Sequence, residues 1–169
     1  MLVKKFVNSQ IVNYISNLPK KEIFKIGTGD ALHLTSLYDY YDKDNDIFKP
    51  IKPLIDFHLK VLDENQLKYD SRKIFVENRD IIFSNNSFDG KLHQDSLNDE
   101  GESCYTAVYY YRIDKGINGG NLIFHPFGQY KPQVDKIVYF DGDLKHKVGY
   151  THGSGIRGSI ITNIKKRLY

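Results

Sequence analysis

Two residues in this sequence are of types that hold a hard divalent metal and stand two positions apart: His93 and Asp95, in Lys91-Leu92-His93-Gln94-Asp95. On an extended segment, residues i and i+2 point to the same face, so one ion could take both side chains. A second imidazole from a distant strand, His146 or His152, would complete a two-His-one-carboxylate set. That set suits Fe(II) and leaves three positions open, two for a bidentate 2-oxoacid and one for O2. The single cysteine, Cys104, offers no thiolate set that would favour structural zinc.

The His-x-Asp triplet decides nothing by itself. With 6 His and 16 Asp in the chain, chance alone would supply about 0.6 of them. Its setting is more informative. An Asp89-Gly90 pair precedes it, and the β-like run Tyr105–Tyr111 follows. Then come Gly119-Gly120-Asn121-Leu122-Ile123-Phe124, His146, and Arg157-Gly158-Ser159 in a last apolar run. Of five arginines, Arg157 is the one flanked by Ile156, Ile160 and Ile161. A buried guanidinium is costly without an anion. It therefore implies either a structural ion pair or an anionic ligand, and a carboxylate held in fork geometry suits Arg better than Lys.

The elements that must position these residues fall into two textures. In residues 1–72, Ile11, Tyr14, Ile15 and Leu18 recur at helical spacing before Pro19, and Leu54, Ile55, His58, Leu59 and Leu62 mark a second helix over Pro53–Gln66. The polar, Asp-rich stretch Tyr38–Lys49 reads as a loop. In residues 73–169, short β-like runs alternate with turn residues. The runs are Ile74–Val76, Ile81–Phe83, Tyr105–Tyr111, Leu122–Phe124, Lys136–Phe140 and Ile156–Ile164. Asn85-Asn86, Gly119-Gly120 and Gly153-Ser154-Gly155 are among the turns. Short strands without intervening helices predict an antiparallel sandwich or barrel, here one mainly β domain with N-terminal helices.

Composition narrows the function classes. The 169 residues are 40% hydrophobic and 27% charged, ordinary for a globular chain. The net charge of +3 is supplied by Lys165, Lys166 and Arg167, so the body is neutral. That is a poor footing for electrostatic nucleic-acid binding. The apolar stretch behind Lys4 and Lys5 is broken by Asn8, Ser9, Gln10 and Asn13, and no run of about 18 apolar residues occurs. With one cysteine as well, the expectation is a soluble, cytoplasmic protein without a membrane segment.

From about Phe83 onward the order of motifs resembles the Fe(II)/2-oxoglutarate-dependent dioxygenase superfamily, and within it the prolyl-4-hydroxylase-like branch. The matching pieces are His-x-Asp, a Thr/Tyr-rich strand, Gly-Gly-x-Leu-x-Phe, a distal His and an Arg on the closing strand. His146 stands eleven residues before Arg157 and fits the family spacing, whereas His152 stands five before it and does not. The resemblance implies a double-stranded β-helix, a jelly-roll or cupin-like barrel, in residues 73–169. It implies metal ligands His93, Asp95 and His146, and Arg157 on the distal carboxylate of 2-oxoglutarate. Tyr110 matches a tyrosine on the same carboxylate, and Ser159 is a further candidate there. Fe(II), 2-oxoglutarate and O2 follow as cofactor and cosubstrates, with ascorbate as an accessory reductant.

The implied reaction hydroxylates an unactivated C–H bond while 2-oxoglutarate becomes succinate and CO2, most naturally on a protein or peptide side chain, proline first. A small-molecule or nucleic-acid substrate is an alternative, as is a non-catalytic cupin-like binding barrel. The DNA-repair branch carries a second Arg where Asn163 stands here. Substrate choice falls to the loops Ser84–Leu92, Leu97–Ser103 and Ile113–Ile117. The remaining candidates read as structural: His33 and His58 as packing or solvent-facing, His125 as surface or substrate-side, Cys104 as buried. The Tyr109-Tyr110-Tyr111 cluster divides by alternation between packing and one cavity-facing ring, and Lys165-Lys166-Arg167 reads as a solvated end.

Overall fold

The computed structural model describes residues 1–22, 31–97 and 101–167, and the backbone of 28–29. In chain order the elements are β1 (Leu2–Lys5), α1 (Ser9–Asn17), β2 (Lys21–Glu22), β3 (Thr28–Gly29), β4 (Leu32–Thr35), β5 (Tyr38–Tyr40), α2 (Lys52–Glu64) and β6 (Tyr69–Asp89). The second half holds β7 (Cys104–Ile113), β8 (Ile117–Gly119), β9 (Leu122–Phe124), β10 (Gly128–Tyr130), β11 (Lys136–Asp141), β12 (His146–Val148) and β13 (Thr151–Lys166).

Both expected helices form, for local reasons. Asn8 caps α1 by accepting from the Ile11 N–H at 3.1 Å, and the helix buries Ile11 and Ile15 before Pro19. A 3-10 turn, Lys49–Ile51, leads into α2, where Pro53 sits in the first turn and needs no N–H partner. Leu54, Ile55, His58, Val61 and Leu62 form its buried stripe. These residues share one core with Ile74, Val76, Tyr109, Tyr111, Ile137, Tyr139, Ile160 and Ile164. The helices therefore cover one face of the main sheet, each fully buried aliphatic side chain contributing about 1.5–3 kcal/mol.

That sheet runs in the order β1-β11-β7-β13-β6-β4-β2, with β3 and β5 also on β6 and β8 on β13. A second sheet has the order β10-β9-β12. Every strand pairing among the described residues is antiparallel. The architecture is mainly β and consistent with the expected jelly roll. β13, which carries Arg157 and Ser159, is central: it pairs with β6 on one side and β7 on the other.

Several local expectations change. The first 72 residues are not only helical, because they add β1 to one sheet edge, β3, β4 and β5 along β6, and β2 beyond β4. Within the expected loop, Tyr38–Tyr40 pairs with Phe75–Glu77. The runs at Ile74 and Ile81 fuse into the 21-residue β6, with Asn85 at φ 58 in place of the expected turn. Gly153-Ser154-Gly155 is likewise no turn but part of β13 opposite a bulge: Gly153 pairs with Asn86 and Ser154 with Ser84, so Asn85 on β6 is the extra residue. Gly155 has φ 131, and a Cβ there would stand 2.6 Å from the Asp114 Cβ. Glycine was the right signal for unusual backbone, and the bulge replaces a turn because the strands on both sides stay paired.

Candidate functional site

The cavity between the two sheets has a volume of about 540 Å³ and is lined by all six residues singled out above: His93, Asp95, His146, Tyr110, Arg157 and Ser159. Alternation aims them. On β7, Thr106, Val108 and Tyr110 line the cavity while Ala107, Tyr109 and Tyr111 pack toward the helices. On β13, Arg157, Ser159, Ile161 and Asn163 share the cavity face.

His93 and His146 are brought together by the backbone itself. The two residues exchange main-chain hydrogen bonds, His93 N to His146 O at 2.9 Å and His146 N to His93 O at 2.8 Å. The His93 segment thus extends the smaller sheet beyond β12. Asp95, on the same side two residues on, has its N–H on the Gly142 carbonyl at 2.8 Å. The result is compact: one ligand atom from each of His93, Asp95 and His146 lies within 4.8 Å of the others. Each imidazole Nε2 is 3.4 Å from a carboxylate oxygen of Asp95.

The far nitrogens are fixed as well. His93 Nδ1 lies 2.8 Å from the Lys91 carbonyl and His146 Nδ1 lies 2.8 Å from the Leu144 carbonyl. A carbonyl only accepts, so each ring donates from Nδ1, and Nε2 is the atom turned toward Asp95. Backbone carbonyls on the distal nitrogens are the usual outer partners of metal-binding imidazoles. Thr106 Oγ1 donates to Asp95 Oδ2 at 2.7 Å and holds the carboxylate in place.

Burial works to raise the Asp95 pKa, but hydrogen bonds to His146, His93 and Thr106 outweigh it and hold the carboxyl below the usual range. The hydrogen bond to Asp95 raises His93, against partial burial and the Arg79 charge. A carboxylate and two imidazole Nε2 atoms on one side of a cavity could hold a metal ion, and the donor types match those of an Fe(II) facial triad.

At the closed end lies Arg157, 5% exposed. Its Nη2 is 3.5 Å from the Tyr110 hydroxyl and 3.5 Å from the Gly120 carbonyl, and its Cζ stands 5.1 Å from the Tyr110 ring centroid. Among the described residues it has no carboxylate partner, so the structural ion pair weighed above does not form there. Ser159 pairs directly with Tyr110 across the strands. A buried cation with no carboxylate beside it is of the kind that an anionic partner would stabilise.

The other histidines are elsewhere. His152 stacks on Tyr150, with ring centroids 5.3 Å apart, and is not in the cluster. His33 is buried against Phe88, and His58 is buried on Tyr139. Cys104 is buried, its thiol pushed up to about 12 by desolvation. Lys165 and Lys166 belong to β13 and form ion pairs, Lys165 with Glu102 and Lys166 with Asp141 and Asp143. They are not a free solvated end, because β13 carries them alongside these carboxylates. Of the loop Leu97–Ser103, residues 98–100 lie outside the described residues.

Two contributors escape a sequence reading. Thr106 could have been found from its alternation with Tyr110. The Gly120 carbonyl leaves no side-chain signal. The cavity also extends along β6 past Arg79 and Glu77, which are ion-paired, to Phe75, Tyr38 and Tyr40. There the rings of Tyr38 and Tyr40 meet Phe75 edge to face at 4.9 and 5.4 Å.

No protein-family model matches the chain, and no curated protein matches it in sequence. Solved structures do match in fold. A 2OG-Fe(II) oxygenase family oxidoreductase from Burkholderia pseudomallei aligns with TM-score 0.67 and 14% identity over 94% of this chain and 78% of its own. A Pseudomonas putida prolyl-4-hydroxylase aligns with TM-score 0.60 and 14% identity, over 98% and 92%. A prolyl hydroxylase from Trichoplax adhaerens, in complex with a hypoxia inducible factor oxygen degradation domain peptide fragment, aligns with TM-score 0.62 and 15% identity, over 94% and 76%. The chain shares the fold of the proteins its motif order resembles.

Proposed function

We propose that this chain is an Fe(II)- and 2-oxoglutarate-dependent oxygenase of the prolyl-4-hydroxylase-like kind, a single domain whose double-stranded β-helix core (73–169) rests on the N-terminal region (1–72). One observation carries the reading. A two-His-one-carboxylate cluster and a buried arginine without a carboxylate partner among the described residues line the same cavity. The donor chemistry fits Fe(II), and the unbalanced Arg157 fits the far carboxylate of a 2-oxoacid.

His93, Asp95 and His146 hold the metal, and Arg157, Tyr110 and Ser159 hold the distal carboxylate. When bound, the metal and 2-oxoglutarate supply the oxidising power that puts an oxygen atom of O2 into a C–H bond, with succinate and CO2 as coproducts and ascorbate as an accessory reductant. The residues of this chain do the rest. Lys91 and Leu144 carbonyls fix the imidazoles, and Thr106 fixes Asp95. Val108, Leu122 and Phe140 line the apolar interior, which limits water around the reacting centre.

A protein or peptide side chain is the substrate class. The peptide complex of the Trichoplax prolyl hydroxylase supports this by fold analogy. So does the cavity's outer end, where the exposed rings of Tyr38 and Tyr40 beside Phe75 leave room for a chain segment.

The test is succinate release from 2-oxoglutarate by Fe(II)-loaded protein under O2, with a panel of proline-containing peptides monitored for the mass of one added oxygen. Succinate is expected from wild type and not from Asp95→Ala. Equal, background-level succinate from both would contradict the enzyme reading. Turnover with no peptide modified would retain the enzyme and remove the peptide.

A further inference from the structure

The closed end of the cavity depends on an irregularity in β7 that lies behind it. β13 pairs Ser159 with Tyr110 and Gly158 with Arg112, so Tyr111 is an extra residue on β7, a β-bulge. Its effect is geometric. Directly paired residues share a face, and Arg157 pairs with Ile113 while Ser159 pairs with Tyr110. Tyr110 and Ile113 are three residues apart, a spacing that puts side chains on opposite faces of a regular strand. The bulge absorbs the odd residue. Both then lie on the cavity side, where Ile113 packs in the same apolar cluster as Tyr110.

Tyr111 holds this bulge from the helix-covered face. Its hydroxyl donates to the Asp80 carboxylate and accepts from Asn78 Nδ2 at 2.8 Å. The same Nδ2 lies 3.2 Å from the Ser159 carbonyl, which ties the clamp to β13. Asp80 is ion-paired with Lys20 at 2.8 Å, and Asn78 Oδ1 accepts from Ser36 Oγ at 2.5 Å. The ring rests on Gly158, where a Cβ would stand 2.7 Å from two ring carbons. With its hydroxyl bonded to both Asp80 and Asn78, the ring could yield to such a Cβ only by disturbing those bonds.

A phenylalanine would fill the same space without burying a hydroxyl on a carboxylate. A fully satisfied buried polar network fixes one arrangement of the chain where apolar packing tolerates several. Resting on the oxygenase reading above, we propose that Tyr111 is a positioning residue for the cosubstrate. Its clamp on Asp80 and Asn78 and its seat on Gly158 set the β7 bulge, and thereby the placement of Tyr110 against Arg157, without touching the ligand.

Calorimetric titration of the Mn(II)-loaded protein with 2-oxoglutarate reads the pocket, and titration of the metal-free protein with Mn(II) reads the triad. Tyr111→Phe and Gly158→Ala are each expected to weaken 2-oxoglutarate about tenfold and to leave Mn(II) affinity within about twofold. Tyr110→Phe should cost less in the Tyr111→Phe background than in wild type, because the two positions are coupled. Should Gly158→Ala not fold, Tyr111→Phe keeps the ring volume and decides the matter. Unchanged 2-oxoglutarate affinity would overturn the proposal, and so would Mn(II) affinity falling in step, the mark of general loosening. Wild type that fails to bind 2-oxoglutarate would instead contradict the oxygenase reading itself.

Discussion

The Arg157 guanidinium lies over the Tyr110 ring, 5.1 Å from Cζ to centroid, with Nη2 3.5 Å from the phenol oxygen, and both residues are buried on neighbouring central strands. Neither group can neutralise the other. Removing one partner of a buried charge pair costs on the order of 3–5 kcal/mol. Arg157→Ala should therefore weaken 2-oxoglutarate by about two orders of magnitude or more, with metal affinity nearly intact. Tyr110→Phe removes a hydrogen bond to a charged group, about 1.5–3 kcal/mol. Calorimetry on the metal-loaded variants checks both, and Arg157→Ala binding as tightly as wild type would remove the pocket from this place.

Thr106 gives its hydroxyl proton to Asp95 at 2.7 Å, in a buried site on β7. Losing such an outer partner typically costs 10–100-fold in metal affinity. Thr106→Val, close in shape, should lower Fe(II) or Mn(II) affinity by about that factor, whereas Asp95→Ala should abolish binding. Metal titration with matched thermal melts separates this from a loss of fold.

His58 lies far from this chemistry, fully buried in the core under α2, with Nδ1 2.8 Å from the Tyr139 hydroxyl. Burial pushes its pKa down to about 3, against about 6.5 in an unfolded chain. Between those values only the unfolded state takes up the proton. Its contribution to stability is complete above about pH 6.5 and is lost as pH falls toward about 3, at roughly 1.4 kcal/mol per unit. Denaturant melts of wild type and His58→Gln between about pH 6 and pH 5 should diverge by that slope, the wild type losing stability faster. Parallel slopes would mean that His58 takes up its proton within the folded protein.

That His93, Asp95, His146 and Arg157 share one cavity was legible because a lone arginine is rare in an apolar strand and because alternation fixes which residues share a face. His93 and Asp95 sit two apart on an extended segment, and Arg157 stands among isoleucines. Alternation divides Tyr109, Tyr110 and Tyr111 between the two faces of β7, but the Tyr110–Ser159 pairing depends on the bulge. Nothing local announces that Tyr111 is skipped, since its partners Asp80 and Asn78 are about thirty residues away in sequence. The same non-local pairing turned Tyr38–Tyr40 into a strand, because β6 offers an edge there that no short window of sequence reveals. Gly153 and Gly155 signalled unusual backbone correctly, but glycine marks a bulge as readily as a turn.

The most direct measurement is a crystal structure of the protein grown without oxygen in Mn(II) and 2-oxoglutarate. The expected result is one metal bound by His93 Nε2, His146 Nε2 and an Asp95 oxygen, with the 2-oxoacid end of the ligand on the metal and its far carboxylate on Arg157 and Tyr110. Metal held at other residues, or a ligand carboxylate that leaves Arg157 untouched, would contradict the account.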